Sequence, residues 1–171
     1  MDILKKNFFE LFNIDIAVDI NKSELDEKVK ALQIKFHPDK FASGSDFEKR
    51  LALQLSSHIN DGYKILSDIV LRIEYILKIN NFVKDESKTI NDASFLQEQI
   101  EYNELEESLK EHYDDDLVRN HLNKIKLLLK NSIEDIKLSF KSKDYETMWQ
   151  HLSKLRFYIK NINNLIKMRK S

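Results

Sequence analysis

A single proline and two glycines in 171 residues leave this chain almost nothing with which to build tight turns or hairpins. Helix is the default for such a sequence, and an all-α fold is expected. Hydrophobic residues make up 42% and charged residues 33%, enough for a buried core under a highly charged surface. Cysteine is absent, which removes disulfides, thiolate catalysis and cysteine-based zinc sites together. No run approaches the length of a membrane span, and the amino terminus carries no apolar signal region.

Charge narrows the partners. Residues 1–79 hold 12 Lys/Arg against 13 Asp/Glu, and the remainder holds 16 of each, so neither half is basic. Nucleic-acid binders usually carry a basic excess that neutralises phosphates, and DNA or RNA is therefore not an expected partner.

Apolar spacing predicts a short helix from Ile3 to Leu11 and a second from about Lys22 to Phe36, with Asn21 and Glu24 as a capping-box variant. The single proline, Pro38, follows at once. Proline lacks a backbone N–H and disfavours helical geometry in the residue before it, so the second helix must stop near His37. His37, Pro38 and Asp39 are then displayed on a stiff loop reaching to Ser45. The next helix carries Phe47, Leu51, Leu55, Ile59, Tyr63 and Leu66 as one apolar stripe, with Gly62 beside it as a close-packing position. A short helix reads Leu71 to Lys78.

Residues 80–92 break the periodicity and are expected to be a linker. Three helical stretches follow, at about 93–111, 116–141 and 145–168, joined by short connections. Consecutive antiparallel neighbours make these a three-helix bundle. Residues 98–116 hold nine acids and one base, whereas 154–170 hold six bases and no acid. Pairing across these segments adds little, since exposed ion pairs contribute about 0–1 kcal/mol each.

Projecting 93–111 as a helix puts Phe95, Tyr102, Leu105 and Leu109 on a core side and Leu96 and Ile100 roughly opposite, with Glu101 and Glu104 beside them. The same projection on 145–168 groups Met148, Leu152, Leu155, Ile159, Ile162 and Ile166, and leaves Phe157 off the stripe. Trp149 is expected in the core. Exposed apolar residues rimmed by acids form either a partner surface or a face resting on the amino-terminal domain.

Several segments carry a family resemblance. His37-Pro-Asp-Lys-Phe-Ala-Ser-Gly-Ser45, Arg72-Ile-Glu-Tyr-Ile-Leu77, Ser94-Phe-Leu-Gln-Glu-Gln-Ile-Glu101 and Lys154-Leu-Arg-Phe157 resemble the HscB family, the J-type co-chaperones of iron–sulfur cluster assembly. The resemblance spans essentially the whole chain. It implies a J-domain over 1–79, a linker over 80–92 and a scaffold-binding three-helix domain over 93–171.

It further implies that His37, Pro38 and Asp39 dock on an HscA/DnaK-type chaperone and stimulate its ATPase, aided by a positive patch of Lys28, Lys30, Lys35 and Lys40. The positions matching the family's contacts with the IscU-type scaffold are Leu96, Gln97, Ile100, Glu101, Glu104 and Phe157. Gln97 departs from the apolar residue expected there. No cofactor, no metal, no membrane and no bond-breaking chemistry are expected. The absence of a transit peptide points to the bacterial cytoplasm, and a mature mitochondrial form fits as well. Three rivals remain: a general J-domain protein acting on unfolded clients, a metalloenzyme using His37 and Asp39, with His58 and Asp61, and a structural bundle whose His-Pro-Asp is an accidental turn.

Overall fold

The computed structural model describes residues 3–84 and 92–170, so most of the expected linker, 85–91, lies outside the described residues. No strand occurs among them, and the chain divides into two compact units, Met1–Asn81 and Phe82–Ser171.

The first unit contains α1 (Phe8–Phe12), α2 (Lys22–Lys35), α3 (Asp46–Ser67) and α4 (Ile69–Ile79). The single helix expected over Ile3–Leu11 is broken into a 3-10 turn, Ile3–Lys5, and α1. Asn7 causes the break. Its side chain accepts from the Glu10 N–H at 3.0 Å while Glu10 Oε2 accepts from the Asn7 N–H at 3.1 Å, a reciprocal cap that fixes a helix start there. Asn21 caps α2 from one side only, accepting from the Glu24 N–H, because Glu24 is turned toward Lys28.

α2 and α3 lie antiparallel, with Lys22 near Tyr63 at one end and the Pro38 loop joining them at the other. Leu25, Val29, Phe36, Ala52, Leu55, Ile59 and Leu66 are buried, along with Phe9, Leu11 and Phe12 from α1 and Ile73, Ile76 and Leu77 from α4. Phe47, expected to begin the α3 stripe, is instead 68% exposed. It lies in the first turn of α3, two residues after Ser45, the N-cap of that helix, ahead of the buried stripe that starts at Ala52.

Two side chains tie α4 into this unit. Buried Arg72 donates through Nε to the Val18 carbonyl at 2.9 Å and through its terminal nitrogen to the Leu66 carbonyl. Tyr75 Oη accepts from the Phe8 N–H at 3.0 Å, and its ring packs against Phe8 and Phe9. The Arg-Ile-Glu-Tyr run is thus a structural clasp that satisfies buried backbone groups.

Gly62 is where α1 meets α3. A Cβ there would come to 2.7 Å from Phe8 Cδ1 and 3.0 Å from Phe12 Cε2. Gly62→Leu improves helix propensity yet is expected to destabilise the protein by about 1–3 kcal/mol through overpacking. Urea denaturation checks this, and unchanged stability would mean that α1 is not seated on α3 as described.

The second unit is a three-helix bundle of α5 (Ala93–Glu111), α6 (Asp115–Lys141) and α7 (Tyr145–Lys170). Its core joins Phe95, Tyr102 and Leu109 from α5, Val118, Leu122 and Ile125 from α6, and Tyr158 and Leu165 from α7. Contacts between α5 and α7 advance together along the two helices. Lys154 meets Asp92, Tyr158 meets Glu98, and Tyr102 meets the Asn161 carbonyl, so α5 and α7 run parallel, while Arg169 near the end of α7 meets Asp115 at the start of α6, which is antiparallel to both.

The α7 stripe differs from the projection. Met148, Leu152 and Leu155 are buried as expected, but Tyr158 and Leu165 carry the core beyond them and Ile166 is exposed. In that half α7 meets α5 as well as α6, which turns the covered face toward Tyr158 and Leu165. Trp149 is half-buried rather than core, and the Lys84 ammonium stands 4.9 Å over its ring.

Asp92 caps α5 and holds it to α7 at once. Its carboxylate accepts from Lys154 Nζ at 2.5 Å, Ser94 Oγ at 2.5 Å and the Phe95 N–H at 3.1 Å. These donors, Lys154 foremost, hold its carboxyl well below the usual carboxylate range. A carboxyl depressed by folding stabilises fully above its unfolded pKa of 3.8, and that stability is lost as pH falls below it. Asp92→Asn keeps a capping oxygen but cannot ionise. The variant is expected to lose stability at pH 7 while narrowing the gap to wild type toward pH 2. Thermal melts across that range check the sign, and a constant gap would exclude the ion pair as the cause.

Candidate functional site

The first candidate site grows from the end of α2. Phe36 closes that helix, and His37 adopts extended geometry (φ −60°, ψ 129°), as the residue before a proline must. Pro38 then opens a 3-10 turn over Pro38–Phe41, its locked φ and missing N–H both suited to a first helical position. His37 caps this turn, its Nδ1 accepting from the Asp39 N–H at 3.3 Å. An imidazole accepting at Nδ1 carries its proton on Nε2, which leaves that edge as a donor toward solvent. The Asp39 carboxylate is 90% exposed at the apex, with Oδ2 3.6 Å from His37 Nδ1. The expected loop is therefore a formed turn that presents a carboxylate outward.

The four lysines around it are not equivalent. Lys28 Nζ is engaged by Glu24 Oε1 at 2.5 Å and the Asn13 carbonyl at 2.6 Å. Lys35 lies on the same side of α2, seven residues on, with its ammonium 5.3 Å over the Phe36 ring. Lys30 is exposed but projects about 200° away from Lys28 around the helix. Lys40 is exposed within the turn itself. Lys35 and Lys40 are the two that accompany the loop most closely in sequence, while Lys28 anchors the loop before α2.

The rival metal reading gains no geometry. Among the described residues no group of three or more His, Asp or Glu side chains is arranged to hold a metal ion. His58 packs against the Phe8 ring and faces an open groove with Asp61, Lys64 and Tyr75, whereas His37 sits on the turn.

The second candidate site is the outer face of α5. Leu96 is 59% exposed and Ile100 45%, one helical turn apart. Gln97 and Glu101 form a parallel ladder beside them, with Gln97 Nε2 donating to Glu101 Oε1 at 3.2 Å. Glu104 continues the row, exposed. The structure thus brings five of the six expected residues onto one continuous helix face. The face is outward because Phe95, Tyr102 and Leu109, spaced by sevens, turn the opposite side into the bundle.

Phe157 joins this face differently from expectation. It is half-buried and edge-packed on Phe95 at 5.4 Å, Tyr102 at 5.8 Å and Tyr158 at 5.9 Å. The cause is the parallel contact of α7 with α5, which puts Phe157 at the seam between them. Two residues of α6 that sequence reasoning passed over also reach this seam. Lys124 Nζ lies 3.6 Å from Glu101 Oε2, and His121 lines the same small cavity as Glu101 and Phe157. Burial, with Lys124 alongside, lowers the pKa of His121. Tyr158 donates to Glu98 Oε2 at 2.6 Å, and burial followed by that carboxylate keeps the phenol far above its ordinary range.

Comparisons with known proteins agree with this architecture. Residues 91–167 match the family model described as the HSCB C-terminal oligomerisation domain. A co-chaperone protein HscB homolog of Shewanella amazonensis is 42% identical over 110 residues, a match that spans 64% of this chain and 63% of that relative. An HscB homolog of Neisseria meningitidis serogroup A is 35% identical over 159 residues, covering 92% of this chain and 96% of the relative. The structure of chaperone HscB from Vibrio cholerae superposes with a TM-score of 0.84 at 27% identity, covering 96% of this chain and 98% of that one. Human co-chaperone HscB superposes with a TM-score of 0.82 at 28% identity, covering 96% and 82%. With a relative of such identity aligned along nearly its full length and the same fold from end to end, the chain belongs to the HscB co-chaperone family.

Proposed function

We propose that this protein is an adaptor in iron–sulfur cluster assembly. The first unit acts as a J-domain that stimulates the ATPase of an HscA/DnaK-type chaperone, and the second holds an IscU-type scaffold. The observation that carries the reading is the Asp39 carboxylate, held outward at the apex of a turn capped by His37 and started by Pro38. A carboxylate so placed suits a directional, charge-assisted pair with an arginine of the chaperone. Lys35 and Lys40 beside it favour encounter with an acidic partner surface, raising association rate more than final affinity. Joining the two binding units in one chain raises the effective concentration of scaffold at the chaperone. The protein supplies no chemistry of its own in this scheme and works in the bacterial cytoplasm. No helix among the described residues is long and apolar enough to cross a membrane.

Steady-state ATP hydrolysis by the HscA-type chaperone, with and without scaffold, tests the first half. Wild type is expected to stimulate synergistically with scaffold, and His37→Gln or Asp39→Asn to lose at least about 10-fold of that stimulation, the equivalent of one charge-assisted contact. Stimulation that ignores the scaffold would identify a general J-domain protein instead.

The α5 face gives the second test. Leu96→Ala and Ile100→Ala remove exposed apolar anchors without touching the core, so folding should be unchanged. Each is expected to weaken scaffold binding about 10-fold in a calorimetric titration, as central apolar contacts do. Full binding by the double variant would remove this face from the scheme.

A further inference from the structure

The second unit segregates its charge. α6 and α7 pack antiparallel, and Asp135 Oδ2 of α6 stands 3.6 Å from His151 Nδ1 of α7. Counting along both helices from that rung puts Lys130 level with Arg156, Lys126 with Lys160 and Arg119 with Lys167, all six exposed. Each lies roughly 200–240° around its helix from Lys124 or Lys154, which reach α5 and its cap, so the three rungs occupy the face turned away from α5. Exposed Asn123 and Asn163 fill the gap between the Arg119 and Lys126 rungs. Asp116 and Glu134 flank the ladder, the first held by Arg119 and the second by Lys137. Lys126 with Lys130, and Arg156 with Lys160, are also like charges four residues apart on one helix, an arrangement that opposes helix formation. Folding gains nothing from such a ladder.

α5 carries the opposite charge. Glu104, Glu107 and Glu111 are exposed along its outer side, with Glu101 at the edge. From Glu101 to Glu111 is about 15 Å, and from Arg119 to Lys130 about 17 Å, at the helical rise per residue. The chain's net charge of -1 does not hold copies apart. We propose that the α6–α7 ladder of one copy receives the α5 acid row of a second copy. The contact joins two different faces, so each pair leaves one ladder and one acid row open, and association continues head to tail. Exposed ion pairs are individually weak and screened by salt, so the contact is transient and forms at high protein concentration and low ionic strength. Its consequence rests on the scaffold-binding reading above, because Glu101 and Glu104 belong to that face as well. One α5 then serves the scaffold or a second copy but not both. The ladder covers those acids when scaffold is absent, and scaffold binding releases single copies.

Sedimentation equilibrium of the full-length protein tests this at low and high salt. At low salt the average mass should climb above the 20.4 kDa of one copy as concentration rises, and it should return to that value at high salt. Lys126→Glu with Lys160→Glu reverses the ladder, and Glu107→Lys with Glu111→Lys reverses the acid row. Each pair of substitutions should weaken association about 10-fold or more, and mixing the two proteins should restore it, since each retains the face the other has lost. Association that survives the ladder reversal, or a mixture that stays as single copies, overturns the pairing. Wild type that remains single at low salt overturns it too, and retention of that protein on phosphatidylglycerol vesicles would give the ladder to a lipid surface. Adding purified IscU-type scaffold to associated wild type should yield complexes holding one copy of this protein. Scaffold that binds without dispersing the copies overturns the competition alone. Scaffold that does not bind overturns the scaffold reading and leaves the self-association standing.

Discussion

Every helix in this protein has to be started and stopped by side chains, because the chain has one proline and two glycines to do it with. Four N–H groups are orphaned at each helix start, and leaving them unmet is costly. Asn7, Asn21, Ser45, Asp68, Asp92, Asp114 and Asp144 each turn an oxygen back onto the first turn of the α-helix that follows, and His37 offers its ring Nδ1 to the Pro38–Phe41 turn. At the other ends Asn13, Asn81 and Lys143 take the left-handed geometry that glycine usually supplies. Neither glycine has a positive φ. Gly62 serves packing instead, letting Phe8 and Phe12 close on α3.

That economy ties structure to the proposed functions. The capping residues of α5 and of the 3-10 turn both stand beside surfaces expected to meet partners. Asp92 fixes where α5 begins and, through Lys154, how it is rotated and registered against α7. Rotation is what decides that Phe95, Tyr102 and Leu109 point inward, and hence that Leu96 and Ile100 point out. An exposed apolar pair on α5 follows from a core built of residues seven apart, with Leu105 only partly covered.

Legibility in the sequence followed the reach of the interactions involved. The all-α class and the extents of α2, α3, α6 and α7 were readable within a few residues, since apolar period and local caps decide them. The break at Asn7 was misread because Ile3, Leu4, Phe8 and Leu11 keep a helical spacing across it. The covered face of α7 was misjudged in its second half. Its contacts change from one neighbour to two along its length, and a single averaged projection has no means of showing that. Phe47 keeps the spacing of the α3 stripe in sequence, yet it is exposed in the first turn of α3. At the candidate sites, the Pro38 turn and the α5 face were legible as local patterns. The hydrogen bond of Lys28 to the Asn13 carbonyl, the packing of Phe157 on Phe95, and the approach of Lys124 to Glu101 join chain segments well separated in sequence and leave no local trace.

The rigidity of the Pro38 turn bears on how a small contact could activate a large partner. Immobilising a flexible loop on binding consumes about 1–2 kcal/mol per residue, easily more than one ion pair returns. Here His37 is held extended by Pro38, Pro38 has its φ fixed by its ring, and Asp39 is tied by its N–H to His37 Nδ1. The ordering cost is met during folding, so in the proposed pairing the carboxylate would meet a guanidinium with its direction already set. The same logic explains why a histidine, rather than any capping residue, suits the position. Its Nδ1 closes the turn beside the carboxylate and leaves the second ring nitrogen outside that cap, giving one short loop both an imidazole and an anion. In the proposed adaptor, a turn of this kind would derive its specificity from geometry, with little buried area, and would rely on the second unit to bring the partners together.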